Sequence, residues 1–303
     1  MTFERIALIP SLYGEEVLTQ AMVQALDKIG SGVILQVATY PQSTELLQQT
    51  CELIQDNQVA LLGPLKEGSL EEEQLKEQLQ TPLGLSAECY YLLYFPASPF
   101  QPFQEQNLIY DMPKAAGFNL RSHYQAFAQQ ALQAARLKQK SIITVVDEAA
   151  DASELLNTIE RAVATEYSDL QVQFSSIDEV SRNLASDNER YNFLITHHLF
   201  GKEIKNQLYG KPAAKRLCAK SHLGSSGALF YAVELANPEP PVDDPASLIL
   251  ASVNLLEFLG RDNEAEAILS ALSQTISFDD RLTSAFGGHH SGADFTQAVL
   301  ERL

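Results

Sequence analysis

An α/β fold, with a largely parallel sheet covered by helices on both faces, is what this sequence predicts, and three observations carry the prediction. Short β-branched or apolar runs alternate with segments whose apolar residues recur at 3.6 spacing, the order from which parallel sheets are built. The apolar share is 45% of 303 residues, enough for a core that needs no disulfide or metal staple. No apolar run approaches ~18 residues, the length a membrane-spanning helix requires.

The elements follow in chain order. Residues 5–10 (RIALIP) form a strand stopped by proline, and residues 15–30 an amphipathic helix closed by glycine. Residues 32–40 are a second strand, 43–56 a helix with Ser43 as N-cap, and 59–63 a third strand. Between Thr81 and Pro113 the texture changes: five prolines, few charges and the run CYYLLYF predict strands crossing between two lobes. An alanine- and glutamine-rich helix over 123–138 leads to a strand at 141–147, and the alternation continues through 157–167, 170–175, 177–185 and 192–196. A proline-rich acidic loop at 234–244 precedes a strongly apolar helix at 245–260, and amphipathic helices at 265–275 and 294–303 close the chain.

Thirty-nine acids against 21 bases leave a formal charge of −18, which repels nucleic-acid phosphates and anionic lipid. One stretch runs the other way: Lys202, Lys205, Lys211, Lys215, Arg216 and Lys220 stand together with Glu203 as the only acid among them. A solvated face is the plain reading, and an anion or partner contact the other. Cys51, Cys89 and Cys218 are odd in number and widely spaced, matching reduced thiols and no zinc or disulfide pattern. The N-terminus lacks a long apolar stretch, so no signal peptide and a cytoplasmic protein are expected.

Phosphate-loop, zinc-protease and serine-hydrolase motifs are absent. The pairs His197-His198 and His289-His290 invite a metal reading, but adjacent residues on a strand face opposite ways. Tyr90, Tyr91, Tyr94 and Phe95 are expected to pack within strands, Cys89 to be buried and inert, and Gly287-Gly288 to form a turn.

Taken together, IALIPSLYGEEV, LLG at 61–63, the segment SIDEVSRNLASDNERYNFLITHHLFG, GALFYAV with DDPASLILASVNLLEFLG, and the tail GGHHSGADFTQAVLERL resemble the isocitrate/3-isopropylmalate dehydrogenase family, the β-decarboxylating dehydrogenases. The resemblance implies a two-lobed isopropylmalate dehydrogenase-like α/β fold with mixed sheets covered by helices, distinct from the GxGxxG Rossmann fold. It implies a large lobe of residues 1–98 plus 225–303, and a small dimerisation lobe of 99–224 whose clasp arm is shortened, since Phe118 leads almost at once into helix.

The departures lie where the family's chemistry is carried. The opening glycine turn reads SLYGEE in place of GDGIGPE. The substrate-carboxylate arginines fall near Leu85, at Phe95 and at Asp111; the catalytic tyrosine is Phe118, and the catalytic lysine is Glu148. Of three metal-binding aspartates Asp178 survives, while Lys202 and Asn206 replace the other two. The cofactor loop reads Glu234-Leu235-Ala236-Asn237-Pro238-Glu239, and Asp244 takes the place of an asparagine.

Oxidative decarboxylation of a 2-hydroxy acid needs a cation to stabilise the enolate and a titratable proton donor. A lysine at a metal-ligand position repels that cation, acids at arginine positions repel a polyanionic substrate, and phenylalanine carries no proton. The expectation is therefore a catalytically silent protein with a binding or regulatory role and neither cofactor nor metal. It would be a homodimer or a heteromer with a related dehydrogenase subunit, with Lys202 paired across the dimer to Asp178 or Glu148. The alternative is an active NAD-dependent oxidoreductase with altered substrate, using Glu148, Asp178, Lys202 and His198, with NAD and Mg²⁺ or Mn²⁺ as cofactors.

Overall fold

Among the described residues, ten strands make one continuous mixed sheet. They are β1 (Arg5–Ile9), β2 (Ile34–Val37), β3 (Val59–Lys66), β4 (Leu85–Phe95), β5 (Glu105–Met112), β6 (Ile142–Asp147), β7 (Gln171–Ser176), β8 (Phe193–His197), β9 (Lys215–Gly224) and β10 (Ala228–Glu234). They hydrogen-bond in the order β2-β1-β3-β10-β9-β4-β5-β8-β6-β7. The computed structural model describes residues 5–10, 16–37, 44–66, 70–95, 105–113, 120–184, 191–197, 200–209, 215–234 and 245–303. Six of the nine neighbouring strand pairs are parallel. The other three, β10–β9, β9–β4 and β4–β5, are antiparallel and occupy the centre. Here the proline-punctuated segment expected to cross between lobes supplies β4 and β5.

The helices are α1 (Glu16–Lys28), α2 (Thr44–Asn57), α3 (Leu70–Leu83), α4 (Leu120–Leu137), α5 (Glu154–Glu166), α6 (Ile177–Asn183), α7 (Gly201–Tyr209), α8 (Ala246–Phe258), α9 (Asp262–Phe278) and α10 (Gly292–Leu300). Serines start three of them: the side chains of Ser153, Ser176 and Ser291 accept the backbone N–H of Leu156, Glu179 and Asp294. Ser291 and Asp294 complete a capping box. The predicted N-cap Ser43 lies outside the described residues.

Two helices, α3 and α7, have no counterpart among the elements that periodicity predicts, and neither do strands β9 and β10. Polar residues dominate the α3 sequence LEEEQLKEQLQTPL, and its buried apolar face is reduced to Leu75, Leu79 and Leu83 at i, i+4 spacing. Gly84, at φ +62°, ends that helix in the left-handed conformation that glycine adopts without strain.

All eleven residues of β4 are buried, because helices cover both of its faces. Cys89, Tyr91, Leu93 and Phe95 point into one core with the residues of α8. Tyr90, Leu92 and Tyr94 point into a second core with Leu75 and Leu79 of α3 and Ile204 and Leu208 of α7. Ten residues of α8 are buried, which explains a helix that is apolar nearly all round.

Candidate functional site

Three adjacent central strands set three ionisable side chains in one row. Asp111 of β5 pairs with Glu88 of β4, and Glu88 pairs with His222 of β9. One step along the strands, Tyr90 pairs with Lys220, and Lys220 with Tyr231 of β10. Cross-strand partners share a face, and this is the face under α3, opposite the α8 core.

Helix α3 closes the row from above. Lys220 donates from Nζ to Glu72 Oε1 at 2.8 Å and lies 3.0 Å from Glu88 Oε2. Lys76, one turn beyond Glu72, sits 2.7 Å from Glu88 Oε1. The Tyr231 hydroxyl donates to Glu72 Oε1 at 2.7 Å, and His222 Nε2 is 2.5 Å from that hydroxyl. Because the phenolic proton is spent on Glu72, the imidazole must donate from Nε2, leaving Nδ1 facing Glu88 Oε1 at 3.6 Å. The Lys220 ammonium also stacks over the Tyr90 ring at 5.0 Å.

Charge is sorted unevenly within the row. Burial alone would raise both glutamates, but the Lys220 ammonium outweighs it, bringing Glu72 down to about 2 and holding Glu88 well below the usual carboxylate range. Asp111 makes no ion pair among the described residues: burial, and then the Glu88 charge beside it, push its carboxyl up to about 8. Burial also holds His222 down to about 4, so the imidazole is neutral near pH 7. The row therefore holds two ionised glutamates, a paired lysine, a neutral histidine and a protonated aspartic acid.

A cavity of about 450 Å³ opens onto these groups. Its walls are Glu72, Glu73, Lys76, Glu77 and Gln80 of α3, Leu85, Ala87, Glu88 and Tyr90 of β4, Asp111 and Pro113, Lys202 of α7, and Lys220 and His222 of β9. Asp111 packs against Gly201, where a Cβ would collide with its carboxyl group. Asp111 is 4% exposed, and its Oδ1 has no hydrogen-bond partner among the described residues.

The structure thus gathers Leu85, Asp111 and Lys202, three positions singled out by the resemblance, around one cavity. Phe95 lies apart, buried in the α8-side core on the other face of β4. Glu148, Asp178 and Asn206 are exposed and do not line the cavity. The backbone of Glu234 ends β10, whereas Phe118, Leu235, Ala236, Asn237, Asp244 and His198 lie outside the described residues.

The plain reading of the basic stretch as a solvated face is corrected at two positions. Lys205 is 0% and Lys220 2% exposed. The cause is β9, which turns Lys220 inward between two glutamates; Lys205 sits 5.4 Å from the Tyr90 ring. Tyr90 packs within its strand, as expected, and also forms cavity wall. Cys89 is buried and pushed up to about 12 by its apolar setting, an inert thiol. Gly287, at φ +79°, follows a 3-10 turn at Ser284–Phe286, and His289 and His290 are exposed. His197 ends β8 with Nε2 3.1 Å from Asp147 Oδ1.

Glu72, Lys76, Glu88, His222 and Tyr231 were not legible as site residues in the sequence. The one available signal was period two, Lys220/His222 and Glu88/Tyr90, which acquires meaning only when both segments are strands in register.

The donor set also bears on the metal that the resemblance implies. Lys202 and Asn206 stand one turn apart in α7, and an ammonium and an amide do not make the anionic oxygen shell that Mg²⁺ or Mn²⁺ requires. Among the described residues no group of three histidine, cysteine, aspartate or glutamate side chains is placed to hold a metal ion. These residues do not fit the group.

Comparison with known proteins bears on the origin of this architecture. A family profile described as isocitrate/isopropylmalate dehydrogenase matches residues 118–299, more than half of the chain. A mitochondrial regulatory subunit of NAD isocitrate dehydrogenase from Dictyostelium discoideum is 28% identical over 150 residues, 46% of this chain and 40% of that protein. The 3-isopropylmalate dehydrogenase of Lactococcus lactis is 24% identical over 178 residues, 56% of this chain and 51% of that one. The chain thus spans about half the length of the curated relatives it matches. The crystal structure of isocitrate dehydrogenase from Methylococcus capsulatus shares the fold, with a TM-score of 0.79 at 21% identity over 99% of both chains. By sequence and by fold, the chain belongs to the isocitrate/isopropylmalate dehydrogenase family.

Proposed function

We propose that this protein is a catalytically silent member of its family, a binding or regulatory protein that does not oxidise a 2-hydroxy acid. One observation carries the reading: where the resemblance expects an arginine to clamp a substrate carboxylate, Asp111 presents a buried carboxyl directly opposite a second one, Glu88. A polyanionic substrate entering there meets two acids, of which one is already charged, and loses a bidentate clamp. Lys202 at a metal-ligand position and Phe118 at the proton donor's position remove two further requirements of the reaction.

In this reading the 1–98 plus 225–303 and 99–224 segments are the two lobes, the first contributing β4 and β10 and the second β5 and β9 to the central antiparallel strands. The chain works as a homodimer or alongside a related dehydrogenase subunit in the cytoplasm. A named regulatory subunit among the relatives supports the second arrangement. Lys202 is exposed in the single chain, free to pair with Asp178 or Glu148 across a dimer.

Thermal unfolding with NAD, NADP, Mg²⁺, Mn²⁺, isocitrate and isopropylmalate, singly and combined, tests the reading. A ligand at about 100 times its dissociation constant adds about 2.7 kcal/mol of stability. No shift with any of them is expected. A dinucleotide shift deepened by metal would instead establish the alternative, an active NAD-dependent oxidoreductase with altered substrate.

A further inference from the structure

Asp111 Oδ1 has no hydrogen-bond partner among the described residues. Its β4 neighbour Glu88 has its oxygens taken by Lys76 and Lys220, and its β8 neighbour Thr196 donates its hydroxyl to the Val146 carbonyl. Gly201 of α7 brings no side chain against it. A buried polar atom without a partner is costly, and the residue that carries it forms part of the cavity wall. Four glutamates face three lysines around that cavity, an excess of negative charge before Asp111 ionises. Two of the lysines, Lys76 and Lys220, are already engaged by Glu88 and Glu72.

We propose that the cavity receives a small primary alkylammonium whose –NH₃⁺ group pairs with the Asp111 carboxyl. The proposal deepens the silent-enzyme reading and rests on it: a cleft built for a polyanion now selects a cation. Glu73 and Glu77 at the wall attract the ligand, and Tyr90 and Leu85 supply apolar contact for its carbon chain. The groups facing Asp111 are Glu88 from β4, Lys220 from β9 and Lys76 from α3, with Lys202 of α7 on the same cavity wall. Proton accounting is simple. The ligand enters as R–NH₃⁺, the Asp111 carboxylic acid releases its proton to solvent, and the ion pair remains.

Isothermal titration of the full chain with ethanolamine and 1,4-diaminobutane, against 1,4-butanediol and succinate as neutral and anionic controls, tests the proposal. Both amines bind and the controls do not. Affinity falls about tenfold per pH unit as pH drops below about 8, and buffers of different ionisation heat report one proton released. Asp111→Asn weakens amine binding at least about tenfold and abolishes that pH slope. Three results would overturn the proposal: no binding of either amine, equal binding of the diol, or an unchanged slope in Asp111→Asn. The proton count on the unmodified chain decides the matter even where the variant folds poorly. Parallel titrations with isocitrate and Mg²⁺ separate the two claims. Binding there overturns the silent reading on which the proposal rests, while absence of amine binding alone overturns only the amine.

Discussion

The two faces of the central strands are opposites in chemistry although alternate residues of the same strands supply them. Toward α8, Cys89, Tyr91, Leu93, Leu217, Ala219 and Phe230 make an apolar core. Toward α3, the alternate positions Glu88, Lys220, His222 and Tyr231 carry a buried network of ion pairs and hydrogen bonds. Apolar burial is non-directional and tolerates small errors of placement. A buried ionic network tolerates few, because each member left unpaired costs its full desolvation. The α8 face therefore serves as the scaffold, and the α3 face carries the ionisable groups that line the cavity.

The largest expected effect comes from breaking the ionic face. Lys220→Met strands Glu72 and Glu88 as buried charges and should cost about 3–5 kcal/mol, read by chemical denaturation at pH 7. A loss below about 1 kcal/mol would show that solvent reaches the network and that the two faces differ less in their tolerance. On the apolar face, Leu250→Ala in α8 should cost about 2–4 kcal/mol, and unlike Lys220→Met its effect should not vary with salt.

Asp111 sharpens the comparison through pH. Its folded value of about 8 lies above the unfolded one near 3.9, so the stability of the protonated form is fully present at low pH and is lost as pH rises towards 8. The wild type should therefore lose on the order of 2–4 kcal/mol relative to Asp111→Asn between about pH 4 and pH 8. Parallel stability curves for the two proteins would mean that the carboxyl is solvated. The smallest effect belongs to Lys202→Met: the side chain is exposed in the single chain, and a change of only about 0–1 kcal/mol is expected. A cost of about 3–5 kcal/mol, together with loss of a dimer on a sizing column, would place Lys202 in a buried pair between subunits.

Legibility followed the same division. Elements with a strong local signature were readable: β1, α1, β3, α4, β6, α5 and the apolar α8 lie close to where periodicity put them. Helix α3 was not, because its sequence is mostly polar and its burial depends on a sheet made by distant segments. Strand β9 was not, because its lysines read as a solvated face until β4 and β10 flank it. Within the site, Leu85, Asp111 and Lys202 were reachable through the family resemblance, whereas Glu72, Lys76 and His222 were not.

The sequence by itself determined the α/β alternation and the acidic balance, and it carries the residues Asp111, Lys202 and Phe118 on which the proposal of a silent enzyme rests, since those are properties of residue type and order. Only the tertiary structure decided that Glu88 would ionise and Asp111 would not. Two carboxyls of similar intrinsic acidity are driven apart because strand register sets Lys220, and helix α3 sets Lys76, against Glu88, and the contact with Lys220, more than a hundred positions away, leaves no local trace in the chain.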